Sequence, residues 1–426
     1  MDIQHICSKH FGDKYLKSFV KATGTRTLCD VCHKMLNCVG VKEIAQRIEE
    51  DLSREYDEPW GAGMPYDKEE GEFIGGGQYE TNELVEREAA IEPYDVVEAI
   101  CQEIENIELV SLDWQLRDSE YMRYGWQEFQ QMVMHRMRFV FFSGKNRRLI
   151  SENEMDSMHP QNVLREVGKL IKSLNIVASF EPGELRIFRA RQHTPNEKAN
   201  TAAALGAPPK AVAQANRMSP AGISMFYGAF DSPTCLAEVT NYDWRASSVS
   251  YGEFTNRVPL KLIDFLKPLK APSLFNPDYT DKTKRLRESI VFLQDFLRDL
   301  QQPISTKKDA PHIEYVPTQI VCEYLRYMYE GGQVDGLIYG SVKNRGGRCV
   351  VLFVDNTESV DEVPPAPVEL AEGTFSRVSD SPKLVLVAKS VVRTSGRRLQ
   401  AQRKKLLDQK QAREQARIDQ LMSRLT

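Results

Sequence analysis

The sequence has no uninterrupted apolar run approaching about 18 residues, so it offers no transmembrane helix. Its opening stretch, MDIQHICSKHFGDKY, also lacks the apolar segment of a secretory signal. Both absences predict a cytoplasmic protein with no membrane partner. A large charge of one sign is missing too: 56 Lys and Arg against 60 Asp and Glu leave a formal charge of −4, which gives bulk electrostatics no means of drawing in nucleic acid. No internal repeat is visible. Cysteine is sparse, eight in all, at 7, 29, 32 and 38 and then scattered at 101, 235, 322 and 349. That pattern suits one metal site plus buried reduced thiols better than a disulfide framework.

What is present is a chain of 426 residues, 41% apolar and 27% charged, long enough for two to four domains at roughly 100–200 residues each. The charge is unevenly spread. Residues 43–120 hold 24 acidic against 5 basic side chains, and 393–426 hold 10 basic against 3 acidic. VKEIAQRIEEDL (41–52) reads as a helix, whereas the Gly/Pro/acid-rich 57–80 reads as a flexible acidic loop. From 93 to 150 apolar residues recur at helical steps, Val96, Val97, Ile100, Ile104 and Ile107, then Trp126, Phe129, Val133, Met137 and Val140, with another helix over 161–174.

Beyond 179 the pattern is mixed. Candidate strands are 185–191, 224–230, a long 248–265, 335–341 and 348–354, with a last one over 383–392. SPTCLAEV (232–239) starts a helix with Ser232 as N-cap and Pro233 at the first helical position, and further helices cover 280–300 and 318–330. The tail RRLQAQRKKLLDQKQAREQARIDQLMSRL (397–425) carries a partial helical stripe suited to a partner or to self-association. An α+β chain follows, divided into a 1–40 knuckle, a helical 41–178, a mixed-sheet 179–395 and a basic helix over 396–426.

Cys7-x2-His10 and Cys29-x2-Cys32 form two ligand pairs, each with the two-residue spacing that lets both side chains of a turn reach one tetrahedral ion. The fourth position stays open among His10, His5, His33 and Cys38. With every ligand supplied by the protein the zinc would be structural, stabilising a module too small to fold on apolar burial alone.

A second constellation spreads over NRMSPAGISMFYGAFDSPTCLAEV (216–239) and DGLIYGSVKNRGGRCVVLF (335–353), with Arg217, Tyr227, Glu238 and Ser341 as polar candidates. Tyr227 falls on a strand and Glu238 late in the helix after it, so both can face one cleft. Taken singly, each has a plain explanation: a solvated arginine, a packing tyrosine, an exposed glutamate.

Residues 185–355 or so resemble the RES domain, through IFRAR, N-R-x-S-P-x-G with its downstream Tyr and Glu, YVPTQIVCEYLR, and DGLIYGS followed by VVLF, all in the family's order. The front of the chain resembles the HEPN-related helical domain, preceded by a Cys/His knuckle, that accompanies some RES proteins. The resemblance implies an ADP-ribosyltransferase-like fold acting on NAD, either a toxin restrained by a separately encoded antitoxin or a defence effector. It maps the family's Arg, Tyr, Glu and Ser onto Arg217, Tyr227, Glu238 and Ser341, and its leading arginine onto Arg189.

Those residue types suit the implied chemistry. A carboxylate at Glu238 would stabilise the positive charge that develops on the ribose as nicotinamide leaves. The guanidinium forks of Arg217 and Arg189 match pyrophosphate oxygens. Tyr227 can lie on the nicotinamide, and the Ser341 hydroxyl can bind the ribose or orient Glu238. The acceptor would be water, phosphate or a protein. The alternative is a non-catalytic NAD- or ADP-ribose-binding or scaffold protein that retains the fold. RNA cleavage by the helical region is weaker still, because the HEPN signature of Arg followed four to six residues later by His is missing there: His135 follows Arg123 by twelve positions.

Overall fold

The computed structural model describes residues 3–74, 77–104, 107–112, 117–139, 158, 160–193, 199–239, 248–302, 311–362 and 383–392. The basic tail over 396–426 lies outside the described residues. The chain divides into two compact units, the first formed by Met1–Phe129, Ser143–Val163 and Pro268–Phe296, the second by Gln130–Phe142, Leu164–Lys267 and Leu297–Thr426.

In the first unit, β1 (His5–Cys7), α1 (Lys14–Thr23), β2 (Thr25–Leu28) and β3 (Met35–Gly40) come first, with the strands paired in the order β1-β3-β2. Helix α2 (Val41–Leu52) has the boundaries its sequence predicts, because Val41, Ile44, Ala45, Ile48 and Leu52 fall on one face and that face is buried. Residues 57–80, expected as a loop, contribute to β4 (Tyr56–Asp57), β5 (Tyr66–Asp67), β6 (Glu72–Phe73) and β7 (Gln78–Glu80). Strands β5 and β6 form a hairpin whose Tyr66 and Phe73 rings meet Trp60.

Helices α3 (Thr81–Ala89) and α4 (Tyr94–Cys101) follow, then β8 (Glu108–Ser111), which pairs with β4 and β7, and α5 (Asp118–His135). Val96, Val97 and Ile100 of α4 join Ile44, Ile48, Leu84 and Val85 in one core. The returning segment 268–296 adds Leu274 and Phe275 to that core, and its Phe296 packs edge-on against Trp126 at 4.7 Å between centroids.

Charge is buried here as well. Glu55 is bonded by Tyr279, Glu88 by Arg287 and Glu288 by Ser119, and Arg117 lies 3.8 Å from Glu288. A buried carboxylate persists only with partners of this kind.

The second unit opens with α6 (Pro160–Ser173), β9 (Val177–Phe180) and β10 (Arg186–His193), then α7 (Ala202–Leu205), β11 (Phe226–Ala229) and α8 (Ser232–Val239). After them come β12 (Ser248–Asn256), β13 (Leu260–Asp264), α9 (Asp281–Gln301), whose residues up to Phe296 belong to the first unit and whose last turn belongs to the second, α10 (Pro311–Glu314) and α11 (Val316–Tyr327). The last strands are β14 (Gly336–Gly340), β15 (Arg348–Leu352), β16 (Ser359–Asp361) and β17 (Leu384–Val392).

All nine strands form one sheet in the order β16-β17-β12-β10-β11-β15-β14-β13-β9. The β13–β14 and β16–β17 pairs are parallel and the others antiparallel. The single strand expected over 248–265 is two strands, because Pro259 has no N–H for the ladder and the chain turns there.

Ile187, Phe226, Phe254, Ile338, Val350 and Leu352 form the larger core of this sheet. The Ala-rich insertion belongs to it: Ala199, Ala202, Leu205 and Ala207 are buried there, and Asn356 ties down the Ala203 and Ala207 carbonyls. A smaller cluster of Ala190, Ala229, Cys235, Val249 and Cys349 packs α8 to the sheet. Among the described residues no helix is long and apolar enough to cross a membrane.

Candidate functional site

The four central strands β10, β11, β15 and β14 lie side by side, and they bring together residues from four distant stretches of sequence. The register sets Phe188 against Ala229, Ala229 against Cys349 and Cys349 against Tyr339, one row across the sheet beneath α8.

Helix α8 starts at an Asp231 cap. The Asp231 carboxylate accepts the Thr234 N–H at 2.7 Å and the Thr234 hydroxyl at 2.8 Å, so the cap lies one residue before the expected Ser232. The β14–β15 turn is fastened to the same helix. Asn344 Nδ2 donates to Thr234 Oγ1 at 2.7 Å, and a Cβ on Gly347 would come within 2.5 Å of that hydroxyl, so only glycine admits the approach.

The turn delivers Ser341 to the last turn of α8, where its hydroxyl donates to Glu238 Oε1 at 2.5 Å. The Ser341 oxygen itself accepts the Asn344 N–H at 2.9 Å, which fixes the direction in which its hydrogen points. The Cys349 thiol lies 3.9 Å from the same Oε1, and Lys343 Nζ donates to the Glu238 backbone carbonyl at 2.6 Å. Glu238 and Ser341 are both half-buried, neither sealed in the core nor free in solvent.

Tyr227 and Arg189 meet on the neighbouring strands. Arg189 Nη1 donates to the Tyr227 carbonyl at 2.6 Å, and its guanidinium lies 5.1 Å from the centre of the Phe226 ring. Burial pulls this guanidinium below its usual range, with the Cys235 and Tyr227 environments opposing the shift. The Tyr227 hydroxyl lies 2.8 Å from Ser219 Oγ, and burial drives its phenol well above the ordinary value.

Arg217 comes from the turn before β11. Its Nη1 donates to the Leu300 carbonyl at 3.0 Å and the Gln302 carbonyl at 2.6 Å, at the C-terminus of α9, where a cation complements the helix dipole. Gln301 of the same helix end accepts the Gly340 N–H at 2.9 Å, one residue before Ser341. Tyr339 lies on β14 opposite Cys349. Its phenol is raised well above the usual range by burial first and by Cys349, its partner across the β14–β15 pair, second.

Of the residues singled out by sequence, Glu238 and Ser341 are in direct contact and Arg189 is tied to the Tyr227 carbonyl. Arg217 is engaged with α9. Sequence reasoning passed over Tyr339, Cys349, Ser219 and Gln319, although each lies inside a quoted block; an interior polar residue in such a block is the signal that marks them.

In the first unit Cys7, His10, Cys29 and Cys32 place their ligand atoms within 4.8 Å of one another. Cys7 Sγ lies 3.7 Å from Cys32 Sγ, and Cys29 Sγ 3.5 Å from His10 Nε2. A tetrahedral zinc with Zn–S about 2.3 Å and Zn–N about 2.0–2.1 Å requires about 3.8 Å between sulfurs and about 3.6 Å between sulfur and nitrogen, so the residues fit such an ion. His10 Nδ1 faces the Glu92 carbonyl at 3.1 Å, which leaves Nε2 as the lone-pair nitrogen aimed at the sulfurs. Cys38, one of the alternative ligands, instead directs its thiol at the Thr27 and Leu36 carbonyls.

A nine-stranded mixed sheet and the helices beside it define an α+β protein. Comparison with protein families makes this specific: residues 22–147 match HEPN/RES N-terminal domain 1 and residues 186–375 match the RES domain. The chain belongs to the RES-domain proteins that carry a HEPN/RES N-terminal domain. No curated protein matches it. Among solved structures, a chain in "Crystal structure of the M.tuberculosis MbcT-MbcA toxin-antitoxin complex" is similar at TM-score 0.23 and 11% identity, covering 44% of this chain and 81% of that one. That likeness is too slight to bear on fold or activity.

Proposed function

We propose that the protein is an NAD-consuming RES-type toxin or defence effector that cleaves the nicotinamide–ribose bond by hydrolysis or phosphorolysis, or transfers ADP-ribose to a protein. Membership of the RES family supports the general class. The observation that carries the reading is the 2.5 Å hydrogen bond from Ser341 to Glu238, which orients a half-buried carboxylate at the end of the central strands. A carboxylate held in this way is set to stabilise the cationic ribose of the transition state without reorganising. In this reading Tyr227 packs on the nicotinamide, Arg189 and Arg217 hold phosphate oxygens, and Ser341 acts as orienter. An arginine has five N–H donors, so the Nη1 contacts of Arg217 leave capacity for a ligand. In the toxin form of this reading the partner is a separately encoded antitoxin or another protein.

Purified protein incubated with NAD is expected to release nicotinamide, and Glu238→Gln to lower the rate by at least about 100-fold with an unchanged melting temperature. A variant that turns over NAD like the wild type defeats the assignment. The engagement of Arg217 with α9 favours a second reading, a non-catalytic NAD- or ADP-ribose-binding protein. Stabilisation by NAD without nicotinamide release selects it.

We further propose that Cys7, His10, Cys29 and Cys32 hold one structural zinc, supported by the gathering of their ligand atoms within 4.8 Å of one another. Metal analysis is expected to find about one zinc per chain and to lose it in Cys29→Ser, with the N-terminal strands destabilised. An ordered metal-free N-terminus contradicts the assignment.

A further inference from the structure

Two candidate sites in the second unit, Arg217 and Tyr227, share a support that lies on neither of their own elements. Arg217 sits in a tight turn closed by two backbone hydrogen bonds, Asn216 N–H to the Ser219 carbonyl at 2.8 Å and Ser219 N–H to the Asn216 carbonyl at 3.3 Å. Both of those carbonyls also receive the side chain of Gln319, whose Nε2 donates to Asn216 at 2.8 Å and to Ser219 at 3.1 Å. The two hydrogens of one amide group thus bridge the two ends of the turn.

Gln319 is only 7% exposed and stands in the first turns of α11, after Pro317. One helical turn later Cys322 donates its thiol to the buried Met218 sulfur at 3.3 Å, so α11 grips the turn from positions three residues apart on one face. The same turn presents Ser219, whose hydroxyl meets the Tyr227 hydroxyl at 2.8 Å.

We propose that Gln319 is a positioning residue for dinucleotide recognition, one amide that sets the placement of Arg217 directly and of the Tyr227 hydroxyl through Ser219. The inference rests on the NAD reading of the site for the identity of the ligand. Its structural core, the coupling of Gln319 to Arg217 and Tyr227, does not depend on that reading. Glu238 and Ser341 hang on α8 and the β14–β15 turn, which Gln319 does not touch in any bond described above. Its loss should therefore weaken substrate holding more than the chemical step.

The test is Gln319→Met in the full-length chain. Methionine keeps the length, the helix preference and most of the volume, and removes both donors. KM for NAD is expected to rise about tenfold with a smaller change in kcat, matching the loss of two hydrogen bonds. A residue that only stabilised the fold would lower the folded fraction and leave KM unmoved, and that result overturns the proposal.

A second readout works without any substrate. In protein labelled on its tyrosine rings, with the Tyr227 signal assigned through Tyr227→Phe, Gln319→Met is expected to shift that signal in the direction that Ser219→Ala shifts it. A Tyr227 signal that does not move in Gln319→Met overturns the proposal even if the wild-type protein neither binds nor cleaves NAD. A shifted signal in a protein without NAD turnover overturns the NAD reading and leaves the coupling standing.

Discussion

Cys349 is a small residue with two neighbours that decide its chemistry. Burial first, and the Glu238 carboxylate second, push its thiol up to about 12, with the Ser341 hydroxyl opposing. Cys235, on the facing helix, is held at about 12 mainly by burial. Both are therefore neutral thiols at any ordinary pH, and Cys349 stands toward Glu238 as a weak donor rather than as a nucleophile. The linkage has a definite sign. An unfolded cysteine loses its proton near 9, while these folded ones keep theirs, so the stability they lend is complete below pH 9 and drains away as pH climbs toward about 12. The melting temperature is expected to fall as pH is raised from about 9 to about 11, and to fall less in Cys349→Ala. At about pH 8 the two thiols should resist alkylation in the native protein; rapid labelling of Cys349 there would mean that the thiol is open to solvent.

The element that aims the site is α8, and its start shows both what the sequence tells and what it hides. Ser232-Pro233 announces a helix because proline tolerates the first turn, where the N–H groups have no partner inside the helix. That tolerance extends over more than one first-turn position, so proline marks the turn without naming the cap, and Asp231 takes the role. Asp231→Ala is expected to cost about 1 kcal/mol, read from denaturant unfolding. Since Thr234 also anchors Asn344, the same change should lower NAD turnover beyond what the lost stability accounts for. Full turnover with reduced stability would confine the cap to a folding role.

Elements with strong periodicity or terminators were legible in this way: α2 by its apolar stripe, β10, β11, β14 and β15 by their β-branched and aromatic runs, the long α9 by both. Short strands at the sheet margins were not. Residues 177–180 and 359–361 carry too few residues to show an alternation, and they become strands only because β13 and β17 offer edges to pair with. Within the site, Glu238, Tyr227 and Ser341 could be named from their blocks. The bond of Ser341 to Glu238, the α9 carbonyls on Arg217 and the hold of Gln319 depend on register and packing, which residue types alone do not encode.

Over the whole molecule, the feature least visible in the sequence is that the chain returns to its first unit at 268–296. Local periodicity reports that a helix has an apolar face and is silent on which core that face will meet. The answer lies in the buried charges. Glu55, 2% exposed, has the Tyr279 hydroxyl, and Glu288, 4% exposed, has Ser119 with Arg117 3.8 Å away, while Arg287 bonds Glu88. Arg54 reaches the Asn276 carbonyl at 3.0 Å, and Leu274 and Phe275 complete the apolar core.

A fragment ending at residue 178 contains every helix of the 41–178 stretch but none of the groups that 268–296 supplies. It would leave Glu55 buried without the hydroxyl that bonds it, at a cost of about 3–5 kcal/mol for an ionised carboxylate stranded in this way, and would leave Glu88 with Arg87 alone. Added to the lost packing of Leu274 and Phe275, that is a large fraction of the stability of a domain. The fragment is accordingly expected to lose its cooperative thermal transition and to expose apolar surface to a hydrophobic dye. Adding residues 268–296 back, joined through a short flexible linker after 178, should restore the transition. If the fragment alone melts cooperatively at the temperature of the first unit in the full chain, the returning segment is an accessory to that core rather than part of it.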